Sequence, residues 1–166
     1  MADLDHRTMT PPSLRITTTF HVAQGPNLQI WDFRIAQPNV SHIEMATIHS
    51  LEHFLGDHFA RLSAEERAGV PLSSESGRVL GVAPMGCQTG FYIYTAAIED
   101  VAVMSEHLAQ ALAVIAPAPE VPLANTRQCG WANNHSLAGV QQLAEWLLSR
   151  RGGWAQASSE PDLQRA

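Results

Sequence analysis

Two histidines and a glutamate lie close together in the stretch 47–53, which reads TIHSLEH. In a helix, a rotation of about 100° per residue brings His49, Glu52 and His53 into one arc of roughly 100°. Two imidazoles at positions i and i+4 can bind one divalent ion, and the neighbouring carboxylate can act as a base. The spacing therefore predicts a metal-and-base site on a helix, although such histidines also occur in packing or surface roles.

A third metal ligand has to come from elsewhere in the chain, because catalytic sites of this kind use three protein ligands and keep one open position. Cys129 lies 129 − 53 = 76 residues after His53 and is followed by Gly130. That separation suits a ligand delivered by a loop. His135 or a distant glutamate would also serve, and spacing alone does not choose between them.

The other cysteine, Cys87, lies in the sequence PMGCQTG at 84–90. Glycines on both sides of a cysteine allow a tight backbone that holds a thiol in place between two strands. A cysteine that only fills space in a core has no need of such a loop. The motif therefore predicts a reactive thiol at Cys87.

The absence of lysine restricts the chemistry further. All ten basic residues are arginines, so a Schiff base or a lysine general base is excluded. Acid–base catalysis must then be carried out by Glu, Asp, His or Cys side chains. Arg34, on a predicted strand rich in large apolar residues, is either a solvent-facing edge residue or an anchor for a substrate carboxylate or hydroxyl.

Length and charge limit the class of protein. A chain of 166 residues has room for one domain with a substantial core. A net charge of -6 and no basic cluster longer than Arg150-Arg151 argue against nucleic acid or an anionic membrane as partner. Without a long apolar run or a secretory signal, we expect a cytoplasmic protein whose two cysteines form no disulfide.

The hydrophobic pattern predicts the elements that must position these residues. Alternating apolar residues predict a hairpin of strands at 13–20 and 28–37, and shorter strands at 78–83 and 91–95. Apolar residues three and four apart predict helices from 42–44 to 62, over 99–115, and from a Ser136 cap onward. A capping box, Ser41-x-x-Glu44, should begin the first helix.

Because strands and helices do not alternate regularly, we predict an α+β fold, with an antiparallel sheet and helices packed on one face. Residues 1–150 should form a single catalytic metal-binding domain. The remainder, 151–166, is rich in Gly, Ser and Gln and is predicted to be a flexible C-terminal tail.

Taken together, the motifs resemble those of the LuxS family of S-ribosylhomocysteine lyases in order and approximate spacing. The resemblance runs from residue 4 to about residue 148. It rests on Leu4-Asp5-His6, Asp32-Phe33-Arg34, Gln37-Pro38-Asn39, the TIHSLEH and PMGCQTGFY stretches, and Gln128-Cys129-Gly130 through His135.

The resemblance implies a homodimer with two active sites at the subunit interface, each holding one divalent metal, with Fe²⁺ in first place and Zn²⁺ or Co²⁺ as alternatives. It implies the following residue roles: metal ligation by His49, His53 and Cys129, acid–base catalysis by Cys87 and Glu52, and substrate contact by His6 and Arg34. The implied reaction cleaves the thioether of S-ribosyl-L-homocysteine to L-homocysteine and 4,5-dihydroxy-2,3-pentanedione, the precursor of the autoinducer-2 signal in quorum sensing.

The chain departs from the family pattern at Gly81, where an acidic residue is usual, and after Arg34, where an aromatic residue is usual. It is also a few residues shorter before Leu4-Asp5-His6. Gly81 and the short N-terminus favour one alternative, a non-catalytic or divergent metal-binding relative. A second alternative is a metallopeptidase of the His-x-x-Glu-His type, in which the carboxylate activates a metal-bound water. That class would need a downstream glutamate ligand, for which the candidates are Glu99, Glu106 and Glu120.

Overall fold

Four strands form one antiparallel sheet in the computed structural model, which describes residues 5–67 and 77–155. The strands are β1 (Ser13–Phe20), β2 (Leu28–Arg34), β3 (Arg78–Pro84) and β4 (Gly90–Ala96), in the spatial order β1-β2-β4-β3. The predicted hairpin is confirmed, since β1 pairs with β2. β2 ends at Arg34, earlier than predicted, because the amides of Ile35 and Ala36 both donate to the carbonyl of Thr89 in the loop before β4.

The described residues also form three α-helices: α1 (Met45–Arg67), α2 (Val101–Ala113) and α3 (Leu137–Ser149). The predicted cap of α3 is confirmed, since the Ser136 side chain accepts a hydrogen bond from the amide of Gly139. Within the described parts of the chain, no helix combines the length and apolarity needed to cross a membrane. The predicted α+β class with an antiparallel sheet is thus confirmed.

The core lies between the helices and one face of the sheet. Alternation along β2 and β4 places Trp31, Phe33, Phe91 and Ile93 on this face, and all four are fully buried. Burying a side chain of this size contributes about 1.5–3 kcal/mol. The residues that cover them from the helices repeat at spacings of three and four: Ile48, Leu51, Leu55 and Phe59 on α1, Met104, Leu108 and Leu112 on α2, and Val140, Ala144 and Leu147 on α3.

The start of α1 differs from the prediction. The helix begins at Met45, and the carbonyl of Glu44 accepts the amides of Thr47 and Ile48. The amide of Ser41 instead donates to Gln37, within the turn that follows β2. The predicted capping box is therefore wrong, because Ser41 lies a full turn ahead of the helix.

The C-terminal boundary is also different. Residues Arg151–Gly153 form a short 3-10 turn, and Trp154 after it is fully buried. Its ring meets Phe33 edge-on at 5.3 Å, and its carbonyl accepts the amide of Leu14 at the start of β1. The folded domain therefore extends past the predicted end at residue 150. Residues 156–166 of the predicted tail lie outside the described residues.

A buried ion pair lies on the face of the sheet opposite the core. Asp32 and Arg34 alternate onto the face of β2 opposite Phe33, and both side chains are 3% exposed. The Arg34 guanidinium donates to both carboxylate oxygens of Asp32, at 3.2 and 2.8 Å. Arg15 on β1 approaches the same carboxylate at 3.5 Å.

Breaking this pair should destabilise the fold strongly. We expect Asp32→Asn to lower the free energy of unfolding by about 3–5 kcal/mol, because it leaves a buried guanidinium without a counter-charge. Asp57→Asn is the matched control, since Asp57 pairs with the largely exposed Arg61 one helical turn away, and it should cost at most about 0.5 kcal/mol. Urea denaturation at one protein concentration measures both values, and equal losses in the two variants would contradict the expectation.

Candidate active site

Four side chains converge in a group that could hold a metal ion. His49, His53, Cys129 and His135 each offer one donor atom, and these atoms all lie within 4.8 Å of one another. We call this group the donor cluster. α1 contributes the two histidines on adjacent turns of one face, and the loop between α2 and α3 contributes the other two residues.

The two α1 histidines are held by carbonyl groups behind them. The Nδ1 atom of His49 lies 2.9 Å from the carbonyl of Asn134, and that of His53 lies 2.7 Å from the carbonyl of Pro122. A carbonyl oxygen can only accept, so each Nδ1 carries the proton and each Nε2 keeps its lone pair. This outer-shell pattern is typical of metal-binding histidines, because it fixes both the ring orientation and the tautomer.

The donor cluster fits a divalent transition-metal ion. The Sγ atom of Cys129 is 3.5 Å from Nε2 of His49 and 3.4 Å from Nε2 of His135. Imidazole nitrogen and thiolate sulfur are the donors that zinc, iron and cobalt accept. Burial, followed by the charges of His49 and His53, lowers the pKa of His135 to about 4, so at neutral pH this side chain is in the uncharged form that a metal ligand requires.

A second group of site residues lines a separate cleft of about 510 Å³ beside the loop 85–89. This thiol cleft contains His6, Arg34 and Cys87 among its lining residues, together with the turn after β2. The end of this loop lies close to the neighbouring strand, since a Cβ atom at Gly90 would overlap the carbonyl oxygen of Phe33. Only glycine fits at that position, which accounts for one of the two glycines that flank the cysteine.

Arg34 reaches Cys87 through Thr89. The guanidinium Nη1 donates to the Thr89 hydroxyl oxygen at 2.6 Å, and that oxygen lies 3.0 Å from Sγ of Cys87. Since the hydroxyl oxygen already accepts from Arg34, its own proton is available for the sulfur. Nη1 itself is 3.9 Å from the sulfur. Burial raises the pKa of Cys87, but the hydrogen bonds of Thr89 and the charge of Arg34 outweigh it, so the pKa lies below the ordinary value.

The lowered pKa predicts a pH profile for the reactivity of Cys87. Only the thiolate reacts with iodoacetamide, so the midpoint of the alkylation rate should fall below the pH at which a free cysteine titrates. Thr89→Val removes the hydroxyl and should shift the midpoint upward, whereas Thr89→Ser keeps the hydroxyl and should not. Peptide mass spectrometry at a series of pH values follows Cys87 alone, and equal midpoints in the Val and Ser variants would count against the role of Thr89.

The structure thus brings the predicted site residues together in two groups. His49, His53 and Cys129 meet in the donor cluster, and His6, Arg34 and Cys87 line the thiol cleft, with no residue common to the two sets. Glu52 lies on α1 next to His53, partly buried, and is not a member of either set.

Two residues of the site carried little signal in the sequence. Thr89 was visible only as part of the PMGCQTG loop, and its contact with Arg34 joins residues 55 positions apart. His135 was open as an alternative to Cys129, whereas in the structure both residues reach the donor cluster. Their separation of six residues within one loop, just ahead of the Ser136 cap, is the feature that could have indicated this.

An α+β domain that combines a His/Cys donor cluster with a separate low-pKa thiol defines a candidate metalloenzyme. The comparison with known families is consistent with that class: residues 2–158 match the family described as S-Ribosylhomocysteinase (LuxS). The chain belongs to the LuxS family.

Individual relatives agree over nearly the full length. An S-ribosylhomocysteine lyase of Listeria monocytogenes is 37% identical over 158 residues, which cover 95% of this chain and 94% of the relative. One from Oceanobacillus iheyensis is 35% identical over 154 residues, with 93% and 92% covered. One from Chromohalobacter salexigens is 37% identical over 154 residues, with 93% and 91% covered.

Proposed function

We propose that this protein is an S-ribosylhomocysteine lyase, which converts S-ribosyl-L-homocysteine to L-homocysteine and 4,5-dihydroxy-2,3-pentanedione. Membership of the LuxS family and relatives that bear this name over more than nine-tenths of the chain support the assignment. The structural observation that carries it is the pairing of a donor cluster containing His49, His53 and Cys129 with a separate thiol at Cys87.

The reaction explains why two such groups are needed. The thioether carbon of the substrate is not activated at the outset, so the sugar carbonyl must first migrate along the chain by enolisation. Once the carbonyl is two carbons from the thioether carbon, removal of the intervening C–H proton allows β-elimination. The C–S bond then breaks, its electron pair leaves with sulfur, and the sulfur takes up a proton to give the thiol of homocysteine.

Within this scheme, His49, His53 and Cys129 hold one divalent metal per subunit, with Fe²⁺ as the proposed ion. When bound, the ion supplies the Lewis acidity that makes a sugar carbonyl easier to enolise. The carbonyl acceptors at Nδ1 of both histidines support this role, because they leave the Nε2 lone pair of each ring free for a metal ion.

Cys87 and Glu52 move the protons. The Thr89 hydroxyl and Arg34 favour the thiolate of Cys87, which can accept a proton from carbon and return it to the next position. Glu52 is one residue from His53 on the same helix and acts as the second acid–base group on the metal side. His6 contacts the substrate from the thiol cleft, and Arg34 does so there while it orients Thr89.

A homodimer would bring the two groups together. The face of the sheet opposite the core presents Tyr92 and Tyr94, which are 40% and 39% exposed, next to Leu80 at 54%. Exposed aromatic residues in adjacent rows are typical of a protein interface. We propose that two copies pack on this face, with the thiol cleft of one subunit facing the donor cluster of the other. We expect the dimer to act in the cytoplasm, where thiols stay reduced.

The metallopeptidase alternative is not favoured by the contacts of its required glutamates. Glu99 accepts hydrogen bonds from Asn27 and Gln29, and Glu106 pairs with Arg151 at 2.6 Å. None of the three candidates, Glu99, Glu106 and Glu120, is a member of the donor cluster. The non-catalytic alternative is motivated by Gly81, because glycine has no side chain that could offer a carboxylate to a sugar hydroxyl. The space at this position is open, since a Cβ atom there would meet nothing within 4 Å.

One assay tests the proposal. Fe²⁺-loaded protein, prepared without oxygen, should release free thiol from S-ribosyl-L-homocysteine, as measured with a thiol-reactive dye that is added after quenching. The same protein should not cleave S-adenosyl-L-homocysteine, which has no free sugar carbonyl to enolise. A metal-loaded protein that releases no thiol would establish the non-catalytic alternative instead.

A further inference from the structure

We infer that Asp32 is a positioning residue for the reaction, which holds the guanidinium of Arg34 in place beside the Cys87 thiol. The inference deepens the proposed function and rests on it for the role of Cys87 as a proton carrier. Asp32 itself does not line the thiol cleft, whose ionisable side chains other than Cys87 are His6, Arg34 and His42. Asp32 is thus not placed to touch a substrate in this cleft, and its connection to the thiol runs through another residue.

The carboxylate of Asp32 lies between two arginines and binds one of them more closely. Arg15 is its direct cross-strand partner on β1, yet the guanidinium of Arg15 is 3.5 Å from the carboxylate. Arg34 lies two positions along β2 on the same face, and its Nε and Nη2 atoms donate to the two carboxylate oxygens at 3.2 and 2.8 Å. Paired hydrogen bonds between an arginine and a carboxylate are stronger and more directional than a single contact. Asp32 and Arg34 therefore orient each other.

Two bonds along one edge of the Arg34 guanidinium determine where its remaining nitrogen points. The group is planar and rigid, so fixing Nε and Nη2 also fixes the direction of Nη1. In that direction lie the Thr89 hydroxyl at 2.6 Å and the sulfur of Cys87 at 3.9 Å. The side chains of Asp32 and Arg34 are both 3% exposed, so water has little access to compete for these bonds. The position of Nη1 therefore follows from the position of Asp32.

The orientation of Nη1 decides which hydrogen bond the Thr89 hydroxyl makes with the sulfur. While Nη1 donates to the hydroxyl oxygen, the hydroxyl directs its own proton to Sγ of Cys87 at 3.0 Å, and this bond favours the thiolate. Without Nη1, the same oxygen is free to accept the proton of a neutral thiol, and that bond favours the protonated form. Loss of the orientation should therefore raise the pKa of Cys87.

A role of Asp32 as a counter-charge alone predicts the opposite effect. Its carboxylate is the anion between two guanidinium groups, and its removal would leave more positive charge near the sulfur. More positive charge near a thiol lowers its pKa. The direction in which the pKa of Cys87 changes thus separates positioning from charge.

The pH dependence of alkylation in Asp32→Asn tests the inference. We expect the midpoint of Cys87 alkylation by iodoacetamide, followed by peptide mass spectrometry on Co²⁺-loaded protein, to lie above that of the wild type. A lower midpoint would leave Asp32 with a role through charge only, an unchanged midpoint would leave it with a role in folding only, and either result would overturn the inference. Arg15→Gln is the matched control, because it removes the other ion pair of the same carboxylate, and its midpoint should equal that of the wild type. Equal rises in the two variants would also overturn the inference.

A second variant keeps the charge and changes only the geometry. Asp32→Asn loses stability, so the comparison uses protein whose near-ultraviolet circular dichroism matches that of the wild type. Asp32→Glu retains the carboxylate, but its extra methylene group displaces the two oxygens from their present positions against Arg34. We expect its Cys87 midpoint to rise and thiol release to slow by roughly 100-fold, the cost of a misplacement of about 1 Å. An unchanged midpoint in folded Asp32→Glu would overturn the inference even where Asp32→Asn does not fold.

These measurements distinguish a failure of the inference from a failure of the lyase assignment. A wild type that releases no thiol, together with a raised midpoint in Asp32→Glu, would refute the assignment and leave the positioning of the Cys87 thiol by Asp32 intact. An active lyase whose Asp32→Glu variant keeps the wild-type midpoint and rate would do the reverse.

Discussion

Replacing Cys87 with alanine is expected to slow thiol release from S-ribosyl-L-homocysteine by about 10²- to 10⁴-fold, the range expected when a positioned acid–base group is lost. The metal content should remain at one ion per chain, because Cys87 is not a member of the donor cluster. We expect this loss of rate because the chain has no lysine that could act as a base instead, and because the Thr89 hydroxyl and Arg34 lower the pKa of the Cys87 thiol.

The measurement pairs the rate of thiol release with metal analysis of the same sample. Cys87→Ser is an informative control, since a serine hydroxyl fills the space but stays protonated at neutral pH, and its rate should fall nearly as far as that of the alanine variant. If Cys87→Ala retained more than a tenth of the wild-type rate, Cys87 would not be a catalytic proton carrier.

Replacing Cys129 with alanine should instead weaken the binding of the metal ion. The thiolate is the one anionic donor among the four residues of the donor cluster, and its removal leaves only neutral imidazoles. Loss of an outer-shell partner alone weakens metal binding by about 10- to 100-fold, so loss of this donor should weaken it by at least about 100-fold. Chelator competition with Co²⁺ measures the affinity, and the sulfur-to-cobalt charge-transfer absorption should disappear.

The alkylation profile of Cys87 provides the internal control for that variant. Cys87 lies in the thiol cleft, whose lining does not include Cys129, so its midpoint pH should not change when Cys129 is replaced. Full affinity together with a persistent charge-transfer band in Cys129→Ala would remove Cys129 from the ligand set. The two cysteine variants thus separate proton transfer from metal binding.

The parts of the site that could be predicted from the sequence are those with a local geometric cause. His49 and His53 meet because four residues make about one helical turn, and the stripe of apolar residues beside them shows which way α1 faces the core. The Ser136 cap is equally local, since its side chain bonds an amide three residues away. The strand pattern at 13–20 and 28–34 likewise follows from the period-two alternation of side chains.

The parts that could not be predicted depend on contacts between distant segments. The interpretation of Arg34 was divided between an exposed edge residue and an anchor, and in the structure it is buried against Asp32 and Thr89. Asp32 is two residues away on the same strand and was a usable signal, but Thr89 reaches Arg34 only through the pairing of β2 with β4. Trp154 follows two glycines in a polar segment, where no periodicity indicates burial.

The position of Trp154 has a consequence for the order in which the chain acquires its structure during synthesis. β1 is synthesised early, yet the amide of Leu14 and the ring of Phe33 find their partner in Trp154, which is synthesised long after both of them. The nascent protein therefore cannot complete its interior until Trp154 has emerged from the ribosome, and until then the edge of β1 stays accessible to chaperones.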